Sequence, residues 1–388
     1  MLSRHHRLLV PVFGVALSLS AGPAPSSDAQ TSPLLPLVRR YINGEHGAVA
    51  AALASELQSK QQTSAFRVEL QRRIRDWTAP IAATFALEAS AAAFPVSPID
   101  AVEMLALGRS RLAGNVTASF ELDWHLAAIA LLQGPPGRHE SHVPGFDNDW
   151  PSGRRVFDRV GLLAEIRIAR DRFPRDARLT LAFGIANEQA LHHYSYTRLV
   201  VLANPERSSP TLIEDGATGR TVARVPVSGD APTRERLETT VRAFEEVAMS
   251  DSVDLAPTAK LHLGWMERLR GRHEVALRLW REVLQTSKDR STRFLAMVFS
   301  GRAFLETARW DEAAEMFRAA LTLEPRAQSA AVSLAAVLLA QNRADDAAMV
   351  IERSLEQAAD ARDPWWAYLR GTFDEWPNRL QALRAQLR

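Results

Sequence analysis

The chain has 388 residues, of which 46% are hydrophobic and 24% charged, and a net charge of +2. That is enough chain to bury a sizeable core, and so even a charge balance exerts no global pull toward nucleic acid or an anionic membrane. The absence of cysteine excludes disulfides, thiolate metal sites, cysteine nucleophiles and lipidation at a lipobox cysteine.

Residues 1–29 read as a secretory signal peptide. Arg4, His5, His6 and Arg7 form a basic start, and Leu8 to Ala21 is an apolar run too short to span a bilayer. Ser27-Asp28-Ala29 then fits a small-x-small cleavage site before Gln30. The mature chain is expected in the periplasm or the medium. No later segment has the roughly 18 uncharged apolar residues in a row that a transmembrane helix needs.

Residues 30–133 are expected to be helical. A hairpin over 33–58 turns around Asn43-Gly44-Glu45-His46-Gly47, and apolar residues keep helical spacing through 64–77, 79–94, 98–112 and 116–133. Ser97, Pro98 and Asp100 supply an N-cap, a first-turn proline and a first-turn acid. Residues 134–153, rich in Gly and Pro, form a loop. Two helices are expected over the helical stretch 154–194: Phe173-Pro174 resembles the end of one pair, and Asp176 to Glu188 around Gly184 the first helix of another. Residues 195–232 hold Pro205, Pro210, Pro226 and Pro232 beside Leu199-Val200-Val201 and Thr221-Val222-Ala223, a poor helix that reads as a short β-hairpin or an irregular insertion.

The strongest pattern lies in 233–360. Gly301 and Phe304 sit on one helix, and Ala308-Arg309-Trp310-Asp311-Glu312-Ala313 makes a turn and begins the next. That second helix carries Phe317 and Ala320 and closes before Pro325. Small residues let two antiparallel helices approach, and the phenylalanines fill the space between them. The pattern recurs 34 residues later at Ala335, Leu338, Asn342, Asp345-Asp346-Ala347 and Ile351. It also occurs 37 residues earlier at Leu263-Gly264, Gly271, Ala276 and Trp280. Arg242 to Ala248 resembles a lone second helix. In residues 361–388, Asp363-Pro364-Trp365-Trp366 opens a tail whose final helix, with Leu380, Leu383 and Leu387, is expected to cap the open end of the stack.

The series Gly301, Phe304, Ala313, Phe317, Ala320 and Pro325 resembles the tetratricopeptide repeat. The resemblance implies an all-α, tetratricopeptide-like right-handed superhelix of antiparallel helix pairs, in which the first helix of each pair lines a concave groove. Carried onto this sequence, the groove-facing positions are Leu261, Trp265 and Arg268, then Val298, Arg302 and Leu305, then Val332, Ala336 and Leu339; the dry Ala336-Leu339-Ala340 face also reads as packing under the C-terminal cap. Trp265 reads either as a peptide anchor beside arginines or as cover for the preceding repeat. The implied function is non-catalytic: a scaffold or adaptor of the cell envelope that binds a segment of another protein, with no cofactor.

Two rivals come from other classes. His139, His142, Asp147 and Asp149 offer imidazole and carboxylate ligands for a metal-dependent enzyme or sensor, but they match no zinc spacing and sit in a Gly/Pro-rich loop. A structural subunit of an envelope assembly would use the outer surface instead. No GxSxG, P-loop, GxGxxG or HExxH pattern appears. His192-His193-Tyr194 reads as helix-end histidines, and His125, beside Trp124, as a packed one.

Overall fold

The computed structural model describes residues 34–58, 72, 78–93, 98–112, 116–133, 162–192, 212–214, 221–223, 231–356, 363–365, 368 and 376–387. The expected signal peptide, the loop over 134–153 with its four candidate metal ligands, and nearly all of 64–77 lie outside them, as do Ser97, His193 and Tyr194.

Fourteen of the described helices form seven consecutive pairs. They are α1 (Leu34–Ile42) with α2 (His46–Gln58), α3 (Ala79–Ala93) with α4 (Pro98–Ser110), and α5 (Ala118–Leu132) with α6 (Leu163–Arg172). Next come α7 (Ala177–His192) with α8 (Ala231–Ala248) and α9 (Ala256–Leu269) with α10 (His273–Thr286). The last two are α11 (Arg290–Glu306) with α12 (Trp310–Leu323) and α13 (Gln328–Ala340) with α14 (Ala344–Glu356). First helices of successive pairs touch, α3 on α5, α9 on α11 and α11 on α13, so they line a common inner face. The fold is an all-α solenoid of tetratricopeptide-like helix pairs, each burying its apolar face against the next.

Local sequence sets the helix ends. Thr117 caps α5 at Phe120 N (3.2 Å) and Asp289 caps α11 at Thr292 N (2.6 Å). Acids in the first turns of α12 and α14 face the positive end of the helix dipole. The turn inside a pair recurs with one geometry. Gly44, Gly271, Ala308 and Asn342 all have positive φ. At each, the next residue's N–H reaches back five positions to a helix carbonyl, as in Glu45 N to Arg40 O and Arg309 N to Phe304 O. This Schellman closure marks α1–α2 as the same kind of unit as the later pairs.

Close approach within a pair depends on a glycine under a ring. A Cβ on Gly264 would lie 2.4 Å from Trp280, one on Gly301 2.7 Å from Phe317, and one on Gly184 2.5 Å from Phe244. The last contact corrects one expectation. The helix around Gly184 and the apparently lone second helix near Phe244 are two halves of one pair, α7–α8, separated in sequence by the insertion. Within the insertion, Leu212–Glu214 (β1) pairs antiparallel with Thr221–Ala223 (β2), a short hairpin whose first strand is not Leu199-Val200-Val201, which lies outside the described residues.

Two hydrophobic cores run along the molecule. The first gathers α1–α7 and the second α7–α14, with α7 contributing to both and Ala243 of α8 reaching into the first. A fifteenth helix, α15 (Trp376–Ala385), follows the last pair. It packs on α5 and α3, and its Trp376, Leu380 and Leu383 belong to the first core. The tail therefore runs back along the first helices instead of closing the end of the stack. Its apolar residues seal the inner face of the early pairs.

Candidate partner-binding groove

The expected groove residues share the inner face, but they differ in what covers them. Leu261 and Val298 are buried within the core, and the Leu261 carbonyl accepts the indole N–H of Trp280 at 3.0 Å. Trp265 is only 2% exposed, which settles its two readings against an open anchor. Arg268 lies over the Trp265 ring, 4.4 Å from its centroid, and bonds Glu306 of the next pair. Arg302 and Leu305 are half-buried. On α13, by contrast, Val332 and Leu339 are 59% and 58% exposed, with Ala336 exposed between them.

The cover over α9 and α11 is the chain's own tail. Asp363, Pro364 and Trp365 are buried, and residues 364, 365 and 368 are helical. Asp363 initiates this turn by accepting Trp365 N–H at 3.0 Å. Its carboxylate also accepts the Ser329 N–H at 2.8 Å and the Ser329 hydroxyl at 3.0 Å. Ala327, at the N-cap of α13, has no side chain that can do this. Asp363 thus caps α13 from 34 residues away and sits at the positive end of its dipole.

Trp365 and Tyr368 project from the same side of the turn. Arg302 lies over the Trp365 ring at 3.9 Å, a cation–π contact on a buried indole. Trp265 and Phe299 meet Trp365 edge-on at 5.8 and 5.7 Å between centroids. The Tyr368 ring stacks on His262 at 5.1 Å, and His262 stacks in turn on Phe244 at 5.1 Å. Edge and offset contacts of this kind add about 0.5–1.5 kcal/mol each beyond the area they bury.

At the far end of the turn, the Tyr368 hydroxyl donates to Glu188 of α7, and His262 Nδ1 lies 2.5 Å from the same carboxylate. Burial, and then the adjacent Glu188 charge, push the Tyr368 phenol well above its ordinary pKa. The hydroxyl therefore stays protonated and able to donate.

A second anchor fixes the tail to the first core. Arg384 of α15 donates to Glu88 of α3, which also accepts the Tyr41 hydroxyl at 3.5 Å. Burial raises the Glu88 carboxyl, against the pull of Arg384. Burial followed by the Glu88 charge raises the Tyr41 phenol.

Sequence reasoning missed Glu188, His262, Phe299 and Ser329 as neighbours of one site. The available signal is Asp363-Pro364-Trp365, an acid-capped turn carrying an aromatic just past the last repeat, which by sequence alone reads as the start of an end cap. Other buried charges serve the scaffold. His125 on α5 pairs with Glu165 on α6 and sits edge-on to Trp124 at 5.4 Å. His192 is the last residue of α7. No cluster of three or more His, Asp or Glu residues that could hold a metal occurs among the described residues.

A family profile described as "Tetratricopeptide repeat" matches residues 300–364. None of the curated proteins matches the sequence. Among solved structures, the crystal structure of yeast Tom70 is similar at 11% identity, covering 91% of this chain and 96% of that one, with a TM-score of 0.15. The family match takes in α12, α13 and α14 and reaches the capping aspartate and its proline. Residues 300–364 thus match the tetratricopeptide repeat, and Asp363, Trp365 and Tyr368, just past the last helix pair, lie along the inner face of the helix-pair solenoid.

Proposed function

We propose that this protein is a non-catalytic interaction scaffold of the cell envelope, holding a segment of another protein against the inner face of its repeats. One observation carries the reading: the inner face already holds a chain segment over α9 and α11, while the same face of α13 is bare at Val332, Ala336 and Leu339. An apolar stripe that continues an occupied groove is suited to an incoming helix or turn. The tetratricopeptide match supports a protein partner. Export rests on the basic start, apolar run and Ser27-Asp28-Ala29 of the N-terminus.

The test is affinity capture from native envelope extract with wild type, a Val332→Glu/Leu339→Glu variant, and a Met349→Glu control on the second helix of the same pair. All three sites are exposed, so the fold is retained. A partner reduced at least tenfold by the α13 double variant and held by the control supports the reading. Equal capture by all three moves the contact to another surface. The intact mass of the purified protein checks export, which requires a chain beginning at Gln30.

A further inference from the structure

We propose that Asp363, Trp365 and Tyr368 occupy in cis the place of a partner segment, and that the groove reads a sequence of the form Asp-x-Trp-x-x-Tyr. The proposal rests on the scaffold reading and gives its partner a chemistry: a carboxylate, then aromatic rings two and five positions on. Three features of the groove match those three groups. The α13 N-terminus, lacking a local cap, offers the Ser329 N–H and hydroxyl to the carboxylate. The Arg302 guanidinium, with Phe299 and Trp265, takes the first ring. His262 receives the second ring, and Glu188 accepts its hydroxyl.

These groups come from four successive pairs, so the spacing of the motif is set by the stacking of the solenoid. A plug that served only to fill the groove would be cheaper with apolar ends, because burying Glu188 and Asp363 carries a desolvation cost that an apolar contact avoids. Charged groups that meet a specific carboxylate, indole and phenol select among sequences. The bare stripe on α13 explains how a partner outcompetes a tethered turn. A partner carrying the same three groups gains additional apolar contact at Val332, Ala336 and Leu339, which the cis turn leaves open.

The experiment uses a fluorescein-labelled peptide of residues 361–370, titrated by anisotropy into the purified wild-type protein and into a Trp365→Ala variant. The variant is expected to bind at least tenfold tighter, because in the wild type the tethered turn competes for the site. An Asp363→Ala peptide, and a Trp365→Ala receptor that also carries Arg302→Glu, are each expected to bind at least fivefold more weakly. No saturable binding to a Trp365→Ala protein that keeps wild-type helix content by circular dichroism overturns the proposal, and so does equal affinity for variant and wild type. If Trp365→Ala loses helix content, an Asp363→Ala receptor takes its place with the same criteria, since it removes the cap and keeps the rings. Capture that depends on Val332 and Leu339 without peptide binding leaves the scaffold standing and removes the motif. Peptide binding with capture unaffected by those residues removes the scaffold's partner site instead.

Discussion

The two cores share one architecture and pack it differently. In the later pairs a glycine on the first helix lies under a ring from the second helix of the same pair, Gly264 under Trp280 and Gly301 under Phe317. In the second pair the glycine is on the second helix, and its space is taken by other partners. A Cβ on Gly108 of α4 would lie 2.6 Å from Ala86 of α3 and 3.0 Å from Trp124 of α5. Elsewhere in that half, alanine provides the closeness. Nearly all of α3 is buried, and most of its buried side chains are alanine. A glycine–aromatic device leaves a mark in sequence at a fixed interval. A run of alanines lets helices approach at many registers and leaves none.

The two tryptophans nevertheless play matching parts. Trp124 donates to the Ala83 carbonyl at 2.9 Å, as Trp280 does to Leu261, and both are fully buried. Trp124→Ala and Trp280→Ala are each expected to cost about 3–5 kcal/mol in denaturant unfolding, the largest effects of single changes foreseen here. A much smaller loss for Trp124→Ala would mean that the alanine-rich half closes around the gap, and would break the equivalence of the two halves.

The tail anchors sharpen the comparison at the next level. Arg384→Met leaves Glu88, whose side chain is 3% exposed against 23% for Arg384, as a buried carboxylate without its cation. About 3 kcal/mol is expected to be lost. Tyr368→Phe removes one donor from Glu188, which keeps His262, and about 1.5–2 kcal/mol is expected. Unfolding followed by circular dichroism would rank the two, and the reverse order would make the groove turn the tighter anchor. Both anchors also respond to alkali with the same sign. The folded-state pKa values of Tyr41 and Tyr368 are raised, so their contribution is complete below the ordinary phenol value of 10 and is lost as pH rises above it. Two of the chain's four tyrosines should therefore resist titration at 295 nm beyond pH 10 until the tail releases. Four tyrosines ionising together near pH 10 in the folded protein would contradict both burial sites.

The smallest prediction concerns the turns. The same Schellman closure uses Gly44 and Gly271 but also Ala308, whose φ of 57° is costly for a residue with a Cβ. Ala308→Gly is expected to raise stability by about 0.5–1 kcal/mol, read as an upward shift in melting temperature.

What was legible in the sequence follows from these differences. The pairs over 257–356 were readable because a small residue, a large apolar partner and a turn recur at 34 or 37 residues. The α7–α8 pair was visible only as two fragments. Its glycine and its phenylalanine are 60 positions apart, and no local period connects them. Helical spacing puts the expected groove positions on one side of the first helices, yet periodicity says nothing of what lies over it. Trp265 was readable as inward-facing and unreadable as covered, because its cover arrives from Trp365 and Tyr368, about a hundred residues on. The path of the tail depends on pairings such as Arg384 with Glu88, at a separation of 296 residues, which leave no local signature.

The returning tail also bears on how the chain acquires its structure. An open repeat array can begin folding anywhere and frays from its ends, since each unit consults only its neighbours. Here α15, made after all seven pairs, docks beside the second and third of them, so a near-linear array acquires a very long-range closure. Such closures are slow compared with local helix pairing. A newly made chain therefore passes through an interval in which the pairs are stacked and the inner face is still open, and a partner present during that interval meets no competitor.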